Sequence, residues 1–157
     1  MKIFEWAARL LRGVRKDMAK KSEREPWYAE GLQFECQGCG DCCRGPGGYV
    51  WVTEEEARDI AEALGMEFGE FAGKMLRTTL SGLALIDSGR GDCPLLSPEG
   101  GCLVYEARPL QCRTWPWWEE NLYSRERWDD AASRCPGMNR GRTHSRLVID
   151  CEKAKDF

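Results

Sequence analysis

Hydrophobic residues recur at steps of three and four along residues 1–18. Ile3, Ala7, Leu10, Leu11, Val14 and Met18 form one stripe, and arginines and lysines fill many of the positions between them. This spacing predicts a basic amphipathic helix, followed by a charged connector up to residue 25. The helix can pack its stripe against the rest of the protein. It can also make peripheral contact with an anionic membrane surface through residues 3–18, since basic amphipathic helices favour such surfaces.

A different pattern begins near residue 26. Polar and apolar residues are mixed from Trp27 to Glu35, a pattern compatible with an extended stretch. The β-branched and aromatic residues from Tyr49 to Val52 predict a short strand. Thr53 is followed by Glu56 at the spacing of a capping box, which predicts a helix opening at Glu54. This helix is predicted to end at about Leu64, because the following Gly65 is a typical helix terminator. A second helix is predicted over about Glu67–Leu76 and a strand over Leu80–Ile86.

The chain becomes irregular after residue 92, where cysteine, proline and tryptophan are frequent and no helical periodicity lasts beyond about two turns. A segment of this kind has little regular core of its own, and a bound metal would supply the missing folding energy. We therefore predict a small, irregular, metal-organised α+β domain over residues 26–157. The basic amphipathic helix and connector of residues 1–25 precede it.

Composition and charge restrict the function. The 157-residue chain is 42% hydrophobic and 31% charged, as expected of a soluble globular protein. It contains no apolar run of the roughly 20 residues needed to cross a bilayer. Residues 1–25 carry a charge of +4 and the remainder carries −7. A basic leader on an acidic body argues against nucleic-acid binding by the domain.

The N-terminal sequence also bears on the compartment. Charged residues interrupt its apolar positions, and no small-residue cleavage site follows, so a secretory signal peptide is not indicated. We therefore expect a cytoplasmic protein. Thiols stay reduced there, and clustered cysteines are more often metal ligands than disulfides.

Four of the nine cysteines lie within residues 36–43. Cys36, Cys39 and Cys42 have the spacing at which closely set thiolates hold an iron–sulfur cluster together with a remote fourth ligand. Cys43 complicates this arrangement, because neighbouring side chains do not easily reach one metal from the same direction. Either Cys42 or Cys43 could serve a second site, or the pair could bridge two metals.

Eight cysteines are candidate metal ligands. They are Cys36, Cys39, Cys42, Cys43, Cys93, Cys102, Cys112 and Cys135. Their number matches two sites of four thiolates each, and it equally matches one site with several buried thiols. The metal can be an iron–sulfur cluster, with 4Fe–4S as the favoured type, or Zn²⁺, or both. Cys151 lies near a polar C-terminus and has no predicted role.

These residues resemble the CxxCxxCC family of zinc- or iron-chelating domains. The resemblance begins with the run Cys36-x2-Cys39-Gly40-Asp41-Cys42-Cys43-Arg44. It continues through Cys93-Pro94, through Arg108-Pro109-x2-Cys112-Arg113, and through Cys135-Pro136-Gly137, covering about residues 34–140. The resemblance implies metal binding by the same eight cysteines. It implies no particular reaction.

Other residues near the cysteines have two possible roles. Arg108 and Arg113 could donate hydrogen bonds to sulfur or bind an anionic substrate. Trp115, Trp117 and Trp118 are expected chiefly to shield the site from water, as is Tyr105 beside them. His144, the single histidine, is predicted to be a surface residue rather than a ligand, and one histidine in this position makes a hydrolase hard to build.

Two hypotheses of function remain. The first is a metal-binding protein that holds an iron–sulfur cluster or zinc and serves electron transfer, metal or cluster handling, or the support of a partner enzyme. The second is a zinc-stabilised interaction module whose metal is purely structural. Both predict a protein partner. A metalloenzyme is a weaker third hypothesis, because it would need an open coordination position and a pocket.

Overall fold

The computed structural model describes residues 25–44, 49–86, 89 and 91–155. Over these residues the chain is a small α+β domain, which confirms the predicted fold class. The helices are α1 Glu54–Ala63, α2 Phe68–Met75, α3 Leu110–Thr114, α4 Glu119–Leu122, α5 Arg125–Ala132 and α6 Arg146–Lys153, and the strands are β1 Leu32–Phe34, β2 Leu76–Thr79, β3 Gly82–Leu85 and β4 Met138–His144. Two short 3-10 turns, Asp41–Cys43 and Tyr105–Ala107, lie beside the cysteines.

Two small antiparallel sheets organise the domain. The first pairs β1 with β4, so that Leu32 lies opposite His144 and Phe34 lies opposite Met138. The second is the hairpin of β2 and β3. The first sheet joins segments more than 100 residues apart, and it therefore fixes the start of the cysteine loop to the C-terminal part of the domain.

Two hydrophobic clusters form the core. The tryptophan cluster joins Trp117, Trp128 and Tyr28 to the β1–β4 sheet, and Cys135 packs against it. The aliphatic cluster, which includes Ile60 and Phe71, joins α1, α2 and β3, and Cys93 and Cys102 pack against it. Cysteines therefore border both clusters.

The capping box predicted for α1 is confirmed. Thr53 accepts the backbone N–H of Glu56 at 3.1 Å, and the Glu56 carboxylate accepts the backbone N–H of Thr53 at 2.9 Å. Gly65 follows the helix with a φ of 66°, the left-handed conformation that glycine adopts without a steric penalty. Helix α2 and strand β3 also lie within the predicted stretches.

The structure differs from the sequence prediction in several elements. Among the described residues, Tyr49–Val52 is extended but forms no full strand, since it meets β3 through a single bridge between Trp51 and Ala84. Strands β2 and β4 were not predicted, and neither were helices α3 to α6 in the stretch expected to be irregular. Five of the seven residues of β4 are exposed, so it lacks the alternation that identifies a half-buried strand.

The predicted N-terminal helix lies outside the described residues. None of the described helices is long and apolar enough to cross a membrane.

Candidate metal centre

The first four cysteines lie on a tightly folded loop after β1. Gly40 has a φ of 73°, and the turn from Asp41 to Cys43 starts there. A Cβ at Gly40 would come within 2.7 Å of Leu96 and within 2.8 Å of the Gly101 backbone nitrogen. Glycine at this position therefore permits both the left-handed turn and close packing against the loop that carries two later cysteines.

That second loop is attached directly to the first. The backbone N–H of Cys93 donates to the carbonyl of Cys43 at 2.8 Å. Leu96 and Cys102 then form a bridge, and the Ser97 N–H donates to the Gly101 carbonyl at 3.0 Å. These backbone hydrogen bonds bring Cys93 and Cys102 beside Cys43 across about 50 residues of sequence.

Helix α3 brings in Cys112. The Glu56 carboxylate accepts the Leu110 N–H at 2.6 Å while it also closes the capping box of α1. The Gln111 side chain accepts the backbone N–H of Trp51 at 2.7 Å and donates to the Tyr49 carbonyl at 3.1 Å. Glu56 and Gln111 therefore hold α3 in place. The sequence did not predict that these two residues position α3, although it did identify Glu56 as the capping-box residue of α1.

Six of the eight candidate ligands line one cavity of about 80 Å³. They are Cys36, Cys42, Cys43, Cys93, Cys102 and Cys112. The remaining wall is largely apolar and includes Val50, Leu85, Leu95 and Trp115. The structure thus brings together thiols that are up to 76 positions apart in the sequence.

Three of these thiols form a hydrogen-bonded chain. Cys42 donates to Cys43, and this bond is the largest cause of a strongly raised pKa at Cys42. The bond from Cys42 lowers the pKa of Cys43, but donation by Cys43 to Cys93 and burial outweigh it and raise the pKa of Cys43 to about 12. Cys93 accepts this hydrogen bond, which lowers its pKa. Adjacent residues Cys42 and Cys43 therefore do face a common space.

Burial dominates at the other two deep thiols. Together with the neighbouring Cys43 and Cys42, it raises the pKa of Cys112 to about 12. Burial also raises the pKa of Cys102, although the Arg108 guanidinium opposes this effect. An apolar cavity lined by several thiols favours their neutral form until a cation balances the thiolate charge.

Cys39 and Cys135 lie apart from the cavity wall, close enough to each other for their charges to interact. The structure therefore divides the eight cysteines into a group of six and a pair. Among the described residues, no three His, Cys, Asp or Glu side chains converge in the arrangement that would hold an ion. The eight-ligand assignment accordingly stays a prediction.

Trp115 supplies an independent test of whether a soft metal fits this cavity. Its indole nitrogen Nε1 is buried and has no hydrogen-bond partner among the described residues. An unpaired buried donor costs about 1–3 kcal/mol. Trp115 lines the cysteine cavity, where a thiolate or a sulfide would accept this N–H. The donor set of six thiols and the unpaired indole N–H both fit a metal–sulfur centre.

The remaining residues singled out in the sequence lie partly in the wall of this cavity and partly outside it. Arg108 and Tyr105 line its wall, and the Arg108 guanidinium lies 3.6 Å from the centre of the Tyr105 ring. Trp117 is buried in the tryptophan cluster, which agrees with a structural role. His144 is half-buried, and its ring lies 4.9 Å from that of Trp117. Cys151 is exposed on α6, outside the cavity.

Comparison with known proteins agrees with this arrangement. Residues 35–136 match a family described as "CxxCxxCC: Putative zinc- or iron-chelating domain". This chain belongs to the CxxCxxCC family. The match covers more than half of the 157 residues and includes all eight candidate ligands.

A curated relative of this CxxCxxCC protein is "Uncharacterized protein MJ0661" of Methanocaldococcus jannaschii, which is 29% identical over 103 residues. The aligned region covers 65% of this chain and 54% of the relative, so the chain spans about half of the relative's length. No solved structure matches this chain.

The raised thiol pKa values predict opposite pH dependences for the metal-free and metal-loaded protein. Because the pKa values of Cys43 and Cys112 rise from 9.0 to about 12, their contribution to metal-free stability is full below pH 9 and is lost as the pH rises through 12. Metal binding needs thiolates and displaces their protons, so apparent metal affinity should instead increase with pH. Urea unfolding and metal titration from pH 6 to 12 measure the two slopes.

Tyr28 needs a control in this experiment. Burial and its hydrogen bond to Asp150 raise its pKa from 10.0 to about 12, within the same window. Both slopes are therefore measured in a Tyr28→Phe variant as well. Metal-free stability that is flat from pH 9 to 12 in that variant would contradict the thiol explanation.

Proposed function

We propose that this protein binds an iron–sulfur cluster through the cysteines of the cavity and uses it in electron transfer or in metal and cluster handling. The observation that supports the proposal is that six cysteines are among the residues lining one cavity. A single structural zinc ion takes four ligands in a tetrahedron at about 2.3 Å from sulfur. Six thiols exceed that need and favour a centre with more than one metal atom.

The surroundings of the thiols support the same proposal. Cys43, Cys93, Cys102 and Cys112 would hold the cluster from the less exposed part of the cavity, with the exposed Cys36 and Cys42 at the rim. When bound, a cluster of this kind accepts and donates single electrons. Leu85 and Leu95 give the cavity an apolar wall, and the unpaired N–H of Trp115 would donate to a sulfur atom. Low polarity and hydrogen bonds to sulfur are two factors that set a cluster's potential.

Elemental analysis and an absorption spectrum of full-length protein purified without oxygen test the proposal. We expect iron with an equimolar amount of acid-labile sulfide and a broad absorption band at about 400 nm, where thiolate-bound clusters absorb. A Trp115→Phe variant keeps the aromatic ring but removes the N–H, so its cluster should remain bound with a changed reduction potential. Zinc alone, without colour or sulfide, would overturn the cluster proposal and favour the structural-zinc hypothesis.

A further inference from the structure

A groove of about 610 Å³ opens beside the cysteine cavity. Cys36, Cys42, Cys112, Tyr105, Arg108 and Trp115 line both the groove and the cavity. A molecule in this groove would therefore lie against the proposed metal centre. We refer to it as the basic groove, because Arg108, Arg113, Arg142 and Lys155 also line it.

The charges of the basic groove are not balanced. Its four cationic side chains face two carboxylates, those of Glu35 and Glu152. Lys155 pairs with Glu152 at 2.7 Å, and Arg113 reaches Glu56, outside the groove, at 3.6 Å. Within the part of the chain that the structure describes, no ion pair joins Arg108 or Arg142 to a carboxylate. These pairs leave two guanidinium groups and one carboxylate, that of Glu35, so the groove keeps an excess of positive charge.

Arg142 has an unused set of donors. Its Nε lies 3.3 Å from His144 Nε2, but that nitrogen also lies 3.0 Å from the Phe34 carbonyl oxygen. Depending on the tautomer, His144 Nε2 either accepts from Arg142 Nε or donates to the Phe34 carbonyl. In both cases the contact involves only Nε of Arg142, so the terminal nitrogens of its guanidinium remain for an acceptor in the groove.

Arg108 is positioned differently but has the same consequence. Its Nε donates to the Tyr105 carbonyl at 2.7 Å, and its guanidinium stacks over the Tyr105 ring at 3.6 Å. A side-chain hydrogen bond to Tyr105 adds to these two contacts, which together fix the plane of the guanidinium. A guanidinium has five N–H donors, so donors remain for another acceptor. A fixed, planar fork of this kind binds carboxylate or phosphate with two parallel hydrogen bonds.

We propose that the basic groove binds a small molecule bearing a carboxylate or phosphate group, which Arg108 and Arg142 hold against the cysteine cavity. The role of this ligand at a metal centre rests on the function proposed above, whereas its binding to the two arginines does not. The aromatic residues Phe34 and Trp117 also line the groove and would contact the uncharged part of the ligand.

Calorimetric titration of the full-length, metal-loaded protein tests this proposal with two probes, inorganic phosphate and citrate, at constant ionic strength. We expect saturable binding of at least one probe beyond that of chloride. Arg142→Gln and Arg108→Gln should each weaken it by about tenfold or more, because each removes a charge-assisted hydrogen bond. Arg142→Lys keeps the charge without the planar fork and should give an intermediate affinity.

Arg127→Gln is the matched control, since Arg127 is exposed on α5 and does not line the basic groove. It should bind the probes as the unchanged protein does. No binding beyond that of chloride, or unchanged affinity in Arg142→Gln, would overturn the proposal. Metal content is measured in every sample. Full metal without anion binding contradicts the groove alone, and anion binding by a folded protein that takes up no metal contradicts the metal function alone.

Discussion

Replacing Cys43 by serine is expected to lower the metal content of the purified protein at least about tenfold, since changes even in outer-shell partners of a metal site cost 10–100-fold in affinity. Cys43 links Cys42 to Cys93 in the chain of thiol hydrogen bonds, and its carbonyl accepts the Cys93 backbone N–H. The substitution removes one thiolate at the centre of the cavity. It leaves the backbone hydrogen bond in place.

Metal analysis after anaerobic purification measures this effect, and Cys151→Ser is its control. Cys151 is exposed on α6 and lies outside the cavity, so its substitution should leave the metal content unchanged. Normal metal content in Cys43→Ser would show that Cys43 is not a ligand. Equal losses in both variants would show that the cysteines act through general stability instead.

The second large effect is expected from Trp128→Ala, which should reduce the free energy of unfolding by about 3–5 kcal/mol. Trp128 is fully buried, and its ring lies 5.6 Å from that of Trp117 and 6.0 Å from that of Trp27. Its indole N–H donates to Asn139 at 2.7 Å. Asn139 has a φ of 59°, so this bond also supports a left-handed residue at the start of β4.

Urea unfolding of the metal-free and metal-loaded protein measures the loss. Tyr123→Ala is the control, because Tyr123 is 81% exposed and its removal should change stability by no more than about 0.5 kcal/mol. Trp128→Phe separates the two contributions, since it preserves an aromatic ring but leaves the Asn139 side chain without its donor. A loss below about 1 kcal/mol in Trp128→Ala would mean that the tryptophan cluster is not a stabilising core.

Helices α1 and α2 were predictable because their signals are local, whereas helices α3 to α6 lie in the stretch that was predicted to be irregular. Thr53 and Glu56 specify the first turn of α1 within four residues of sequence, and Gly65 specifies its end. The pairing of β1 with β4 gave no comparable signal. Residues 139–143 of β4 are exposed, and the pairing partner lies more than 100 residues away, so neither alternation nor a turn marks the strand.

The same distinction applies to the cysteines. Their type and spacing sufficed to predict a thiol-rich site, and six of the cysteines line one cavity in the structure. The grouping could not be predicted, because it depends on the backbone bond from Cys93 to Cys43 and on the attachment of α3 to Glu56. Trp115 was expected to shield the site, but its unpaired N–H is visible only in the folded structure.

The pairing of distant cysteines has a consequence for the order of events during synthesis. Cys36–Cys43 leave the ribosome about 70 residues before Cys112, which at about 5–20 residues per second is an interval of several seconds. Strand β4, the partner of β1, emerges later still. The early thiols are therefore translated without the rest of their cavity. We expect the centre to assemble only after Cys112 and strand β4 have been synthesised, when the chain can close around it.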